Sequence, residues 1–198
     1  MTKFYKDKQK IIDWLDKYEV KNYTLVPDKE YEFIVNVIGD VNLSFKDLIG
    51  IPVKFNEVSS SFYCRSNKLT SLEFSPQTVG GDFNCNNNQL ISLEFSPHTR
   101  GDFICSNNQL TSLEFTPQTV KSSFDCSDNQ LISLEFCAQA VGGSFYCNDN
   151  PELKEIQKIT DFKLIYLEHK KILITKFSDK LESDLISDNS KKSARIKI

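Results

Sequence analysis

Phe62, Phe83, Phe103, Phe124 and Phe145 recur at steps of 21, 20, 21 and 21 residues, and no other feature of the chain limits its fold as tightly. Cys64, Cys85, Cys105, Cys126 and Cys147 keep the same step, as do Asn67, Asn88, Asn108, Asn129 and Asn150. Leu69, Leu90, Leu110 and Leu131 follow, each with a partner in Leu72, Leu93, Leu113 and Leu134. A unit this short cannot bury an apolar face by itself. It must lie against a neighbour of the same kind, so the period implies a solenoid with its rungs in register. Upstream, Val41, Leu43, Leu48 and Ile51 form a degenerate first coil with Lys46 where the asparagine would stand. Downstream, Asn150, Leu153 and Ile156 read as a last coil losing register after Pro151.

Each repeated position has a physical task. Phe and Cys, two apart on a short strand, point to the same side, into the core, where the cysteine serves as a small hydrophobe. The asparagine falls where the strand ends. Its amide is suited to pairing peptide groups of the turn and of the adjacent coil, which are costly to leave unpaired. Leu72, Glu73 and Phe74 alternate, and strand logic sends Leu72 and Phe74 inward and Glu73 outward. Pro76, Pro97 and Pro117 fix the return path. Arg100 stands where Val79, Val120 and Val141 stand, in the repeat that is one residue short; either it snorkels outward or the deletion shifts the return loop and keeps it out of the core.

The run LEFSPQTVGGDFNCNNNQL resembles the leucine-rich repeat in its short bacterial form, with Phe83, Cys85, Asn88 and Leu90 in the strand-and-asparagine segment and Pro76 and Val79 on the return side. It differs in the aromatic at the first strand position and in the extra residue of most units. Similar arrays, with a lead-in like IIDWLDKYEVKNYTL, occur in repeat proteins of bacteria and their phages. The resemblance implies one parallel sheet, an irregular convex side and a binding role for the sheet face. The expected fold is an α/β solenoid, mainly β: a leucine-rich-repeat-like stack over 41–156, an N-terminal cap over 1–40, a C-terminal cap over 157–186 and a disordered basic tail over 187–198. An amphipathic helix over 6–19, with Ile11, Ile12, Trp14, Leu15 and Tyr18 on one face, closes the N-terminal end. The stretch YEFIVNVIGDVNLS then leads as a strand into the first coil.

Reactive chemistry finds little support. An in-register column of thiols is a line, whereas zinc needs four ligands converging on a point. Its parallel side chains also miss the torsion of a disulfide, so free buried thiols are expected. Cys137 lies outside the column, in the slot of Ser75, Ser96 and Thr116, where solvent has the best chance of reaching it. His98, in the variable slot of Gln77 and Gln118, and His169 are the only histidines, and neither completes a nucleophile–base pair. The expectation is a protein that is not an enzyme and uses no cofactor or metal. No stretch approaches the roughly 18 apolar residues of a membrane span, and the charged opening MTKFYKDKQK is not a secretory signal. A cytoplasmic protein is expected, of a bacterium, or of a host cell if the chain is exported without a cleavable signal.

Charge is unevenly spread: nine basic against ten acidic residues over 1–58, four against nine over 59–150, eleven against eight over 151–198. An acidic middle is not a nucleic-acid footprint. The expected partner is another protein, neither nucleic acid nor membrane, bound by a chain expected to be monomeric. The candidate contact surface is the strand face, where the core does not dictate identity: Tyr63, Asn84, Ile104, Asp125 and Tyr146 between Phe and Cys, and Arg65 and Asn86 after Cys. The competing candidate is an acidic stripe of Glu73, Glu94, Glu114 and Glu135, which would suit a phage-encoded decoy inhibiting a host nucleic-acid-binding enzyme.

Overall fold

The computed structural model describes residues 4–153 and, beyond them, residues 167, 171, 172, 174–178 and 180, which are helical. Ile172 is half-buried against the core; the remainder of the expected C-terminal cap and the basic tail lie outside the described residues.

The chain opens on helix α1 (Lys8–Lys17), whose N-cap Asp7 accepts the Lys10 N–H at 2.9 Å. Ile11, Trp14 and Leu15 form its buried face. A Schellman turn ends it: Val20 N–H donates to Leu15 O and Glu19 N–H to Asp16 O, with Glu19 at φ 57°. Trp14 packs on Phe55 with ring centroids 6.3 Å apart, which seats the helix on the open end of the stack. Strands β1 (Tyr23–Asp28) and β2 (Glu32–Val37) form an antiparallel hairpin, its turn closed by Asp28 Oδ1, which accepts from Glu30 N–H and Tyr31 N–H. Pro27 is tolerated because β1 is an edge.

The solenoid follows. Its strands are β3 (Val41–Asn42), β4 (Phe55–Val58), β5 (Phe62–Tyr63), β6 (Thr78–Val79), β7 (Phe83–Asn84), β8 (His98–Thr99), β9 (Phe103–Ile104), β10 (Thr119–Val120), β11 (Phe124–Asp125), β12 (Ala140–Val141) and β13 (Phe145–Tyr146). Strands β3, β5, β7, β9, β11 and β13 pair in parallel as one six-stranded sheet, with Val41, Phe62, Phe83, Phe103, Phe124 and Phe145 in register. The side expected to be irregular carries a second parallel ladder, β2–β4–β6–β8, resumed by the separate pair β10–β12. The N-terminal hairpin therefore extends that ladder and covers its first edge.

The break in the second ladder falls at the shortened repeat. There Thr78 pairs with His98 and Val79 with Thr99, so Thr99 takes the valine's buried place and its hydroxyl donates to Gly81 O. Arg100 is thereby moved to the exposed corner: the deletion, not snorkelling, keeps it out of the core. His98 correspondingly stands in the Thr78 slot and not in that of Gln77.

Each inner rung buries Phe, Cys, two Leu and one return-side residue; for one rung these are Phe83, Cys85, Leu90, Leu93 and Thr99. Burying one such Leu or Phe stabilises by roughly 1.5–3 kcal/mol. The phenyl rings form a continuous column from Phe55 through Phe145, with successive centroids 5.4, 6.1, 5.5, 5.5 and 5.4 Å apart. Coils approach closely at the corner that follows the return strand. A Cβ added to Gly80 would collide with Ser59 O, and one on Gly142 with Lys121 O.

The asparagines are the polar counterpart of the ring column. Asn108 Nδ2 donates to Cys85 O, Cys105 O and Ser106 O at 3.2, 3.1 and 3.1 Å, and its Oδ1 accepts Leu90 N–H at 3.0 Å. Asn88, Asn129 and Asn150 repeat that pattern on their own rungs. Each amide thus ties its own turn to the preceding coil. Asn67 reaches back in the same way to Lys46 N–H and Leu48 N–H, which explains why the first coil, with no coil before it, carries Lys46 instead.

Candidate functional site

On the strand face, Asn42, Tyr63, Asn84, Ile104, Asp125 and Tyr146 stand side by side in parallel register. Tyr63, Asn84, Ile104 and Asp125 are half-buried between their neighbours, and Tyr146, on the last strand, is 46% exposed. Some of this row is engaged locally: Asn84 Oδ1 accepts Asn86 N–H at 3.0 Å and Asp125 Oδ1 accepts Ser127 N–H at 3.0 Å. Arg65 is exposed and its guanidinium lies 5.1 Å from the centroid of the Phe45 ring. Asn86 Oδ1 is buried without a hydrogen-bond partner among the described residues. The row is bounded by Ser66, Asn87, Asn107, Asp128 and Asp149, all left-handed with φ between 51° and 54°. Asn and Asp tolerate that conformation best among residues with a side chain.

The thiols are shut away. All six cysteines are free and buried, Cys137 included, so the expectation that solvent reaches Cys137 is corrected: it is 5% exposed. Burial pushes the Cys64 and Cys137 thiols up to about 12 and Cys147 up to about 11, and raises Cys85, Cys105 and Cys126 well above the ordinary value. Cys126 Sγ donates to Tyr146 O at 3.3 Å. At neutral pH these groups are protonated hydrophobes, not nucleophiles. Among the described residues no cluster of His, Cys, Asp and Glu could hold a metal ion, and no helix is long and apolar enough to cross a membrane.

The largest departure from strand logic lies along the glutamate row. Glu73, Glu94, Glu114 and Glu135 are exposed, as alternation implies. Their neighbours Phe74, Phe95, Phe115 and Phe136 do not turn inward as a strand would require. They adopt φ of 69°, 67°, 68° and 63°, a left-handed corner that swings the ring away from the core. The corner is set by Ser71, Ser92, Ser112 and Ser133, whose Oγ atoms accept the glutamate N–H groups at 3.0, 3.0, 3.0 and 3.1 Å. Phe95, Phe115 and Phe136 are 49, 53 and 57% exposed. Phe74 is 8% exposed because Phe4 and Tyr31 lie against it. Ile49, Ile91 and Ile132 are exposed on the adjoining flank, and Ile49, Thr70, Glu73 and Phe74 line one groove of about 590 Å³. The signal that marks this corner is Ser two residues before the backbone N–H it accepts, with Pro two residues after the Phe in three of the four corners and Ala138 in the last.

Beside the first of these corners, Lys54 Nζ donates to Ser75 O at 3.1 Å. Burial pulls the Lys54 pKa down, and the carboxylates of Glu30 and Glu73 act in the opposite direction. No protein-family model matches the chain, and no curated protein or solved structure matches it.

Proposed function

We propose that this chain is a non-catalytic, leucine-rich-repeat-like scaffold that docks a partner protein on its strand face. The observation that carries the reading is the in-register row Tyr63, Asn84, Ile104, Asp125 and Tyr146, flanked by Arg65 and Asn86. Its side chains vary from rung to rung while the core behind them repeats, and aromatic and Arg side chains are favoured at the centres of interfaces. The buried, protonated thiols support a binding role over a catalytic one. The test compares proteins retained from a bacterial lysate by the native chain and by Tyr63→Ala/Ile104→Ala/Tyr146→Ala. Loss of a retained partner is the expected result; unchanged retention refutes the strand face as the contact.

A second reading, an acidic decoy for a nucleic-acid-binding enzyme, is favoured by the exposure of Glu73, Glu94, Glu114 and Glu135 on successive rungs. It predicts a basic partner that is released as salt rises. Retention at high salt contradicts it.

A further inference from the structure

At the first rung of the Phe74, Phe95, Phe115, Phe136 column the chain supplies its own cover. Phe4 lies over Phe74 with ring centroids 4.9 Å apart and planes 31° from parallel, and Tyr31 meets the same ring edge-on at 6.0 Å. The segment bearing Phe4 is pinned by Tyr5 N–H donating to Pro52 O at 2.9 Å. On the same rung the half-buried Lys54 ammonium donates to Ser75 O at 3.1 Å, two residues beyond Glu73, without a direct ion pair to that carboxylate. Aromatic rings therefore cover this rung, with a lysine seated beside it.

The next three rungs repeat the phenylalanine and the glutamate without the cover. Among the described residues, no ring packs on Phe95, Phe115 or Phe136, and the place of Lys54 is taken in the following coils by Ser75, Ser96 and Thr116, which bring no cation beside Glu94, Glu114 or Glu135. A left-handed conformation costs a side-chain-bearing residue roughly 1–2 kcal/mol, which glycine escapes. Holding phenylalanine there at four successive corners, with three of the rings in water, works against stability. An edge of this composition, apolar and flanked by charge of one sign, has the character of an interaction site.

The geometry points to a docking edge: Phe95, Phe115 and Phe136, with Glu94, Glu114 and Glu135, receive an extended segment of a partner protein carrying aromatic side chains beside lysine or arginine. That is the chemistry the chain itself places on Phe74. The three rungs span about 10 Å, the reach of three or four extended residues. A second copy of the chain is a poorer occupant, because its own Phe4 is already seated on Phe74 and its glutamate row would meet its image across a two-fold axis. This edge is separate from the strand face and stands or falls independently of it.

The probe is a fluorescent peptide with two tandem copies of Lys-Phe-Tyr-Lys, the chain's residues 3–6, titrated against the full chain at low salt. Saturable binding is expected, weakened by about tenfold or more in Phe95→Gly/Phe115→Gly/Phe136→Gly. Binding should also weaken in Glu94→Gln/Glu114→Gln/Glu135→Gln and persist in Tyr63→Ala/Ile104→Ala/Tyr146→Ala. The glycine variant relieves the left-handed corners, so an unchanged circular dichroism spectrum separates lost docking from lost fold. Absence of saturable binding, equal binding by the glycine variant, or equal binding of a peptide with its aromatics replaced by alanine overturns the assignment. A concentration-dependent dimer of the native chain that disappears in the glycine variant also overturns it, in favour of self-association.

Discussion

Replacing Asn108 with alanine isolates what the asparagine column contributes. The side chain makes four hydrogen bonds, but they are not equally hard to lose. Cys85 O keeps a second donor in Asn88 Nδ2, Cys105 O keeps Asn129 Nδ2, and Ser106 O keeps Asn87 N–H. Leu90 N–H has no acceptor other than Asn108 Oδ1 among the described residues, and it is buried. An orphaned buried N–H costs about 1–3 kcal/mol, and the thinned bonding of the three carbonyls adds about 1 kcal/mol. The expected loss is therefore roughly 2–4 kcal/mol, a large share of the typical 5–15 kcal/mol of a folded domain. Urea unfolding followed by far-ultraviolet circular dichroism measures it, with exposed Gln109→Ala as the control at near zero. Asn108→Asp should be no milder at neutral pH, because a carboxylate can take the Leu90 N–H but donates nothing to three carbonyls. A cost for Asn108→Ala indistinguishable from that of Gln109→Ala would refute the reasoning.

The two phenylalanine columns should behave oppositely in the same assay. Phe103→Ala, in the core, is expected to cost about 3–5 kcal/mol, whereas Phe115→Gly, at φ 68°, should be neutral or stabilising by up to about 1 kcal/mol. Gly80→Ala should destabilise by about 1–3 kcal/mol through collision with Ser59 O; an unchanged urea midpoint would show that the coils do not approach there. Stability should also fall with alkaline pH. The buried thiols have folded values above the ordinary 9.0, about 12 for Cys64, so the unfolded chain releases its protons first. The thiol contribution is fully present below pH 9.0 and is lost as pH rises toward 12, and Cys64→Ala should flatten that limb of the curve.

Much of the architecture was legible because burial dictates it position by position. Phe83, Cys85, Asn88 and Leu90 each have one task that few residue types perform, and the step of 20 or 21 residues repeats it. The corner at Phe95 was not legible by the same logic, because Leu93, Glu94 and Phe95 imitate the alternation of a strand while Ser92 is already turning the backbone. Phe74 adds a second difficulty: its burial depends on Phe4, 70 positions earlier, and no local pattern reports such a contact. The return-side ladder is hard to read from the sequence because β6, β8 and β10 are only two residues long and each lies just after a proline, as Thr78–Val79 follow Pro76. On the strand face, outward direction could be read from position alone, but not that Asn84 and Asp125 spend an oxygen on their own turns.

The most direct check on an in-register stack with inward thiols is their rate of reaction with a water-soluble disulfide reagent. In the native protein all six cysteines, Cys137 among them, should react only as fast as the chain opens, and in denaturant all six should react at once. Prompt reaction of all six in native buffer would contradict the fold and the surfaces built on it.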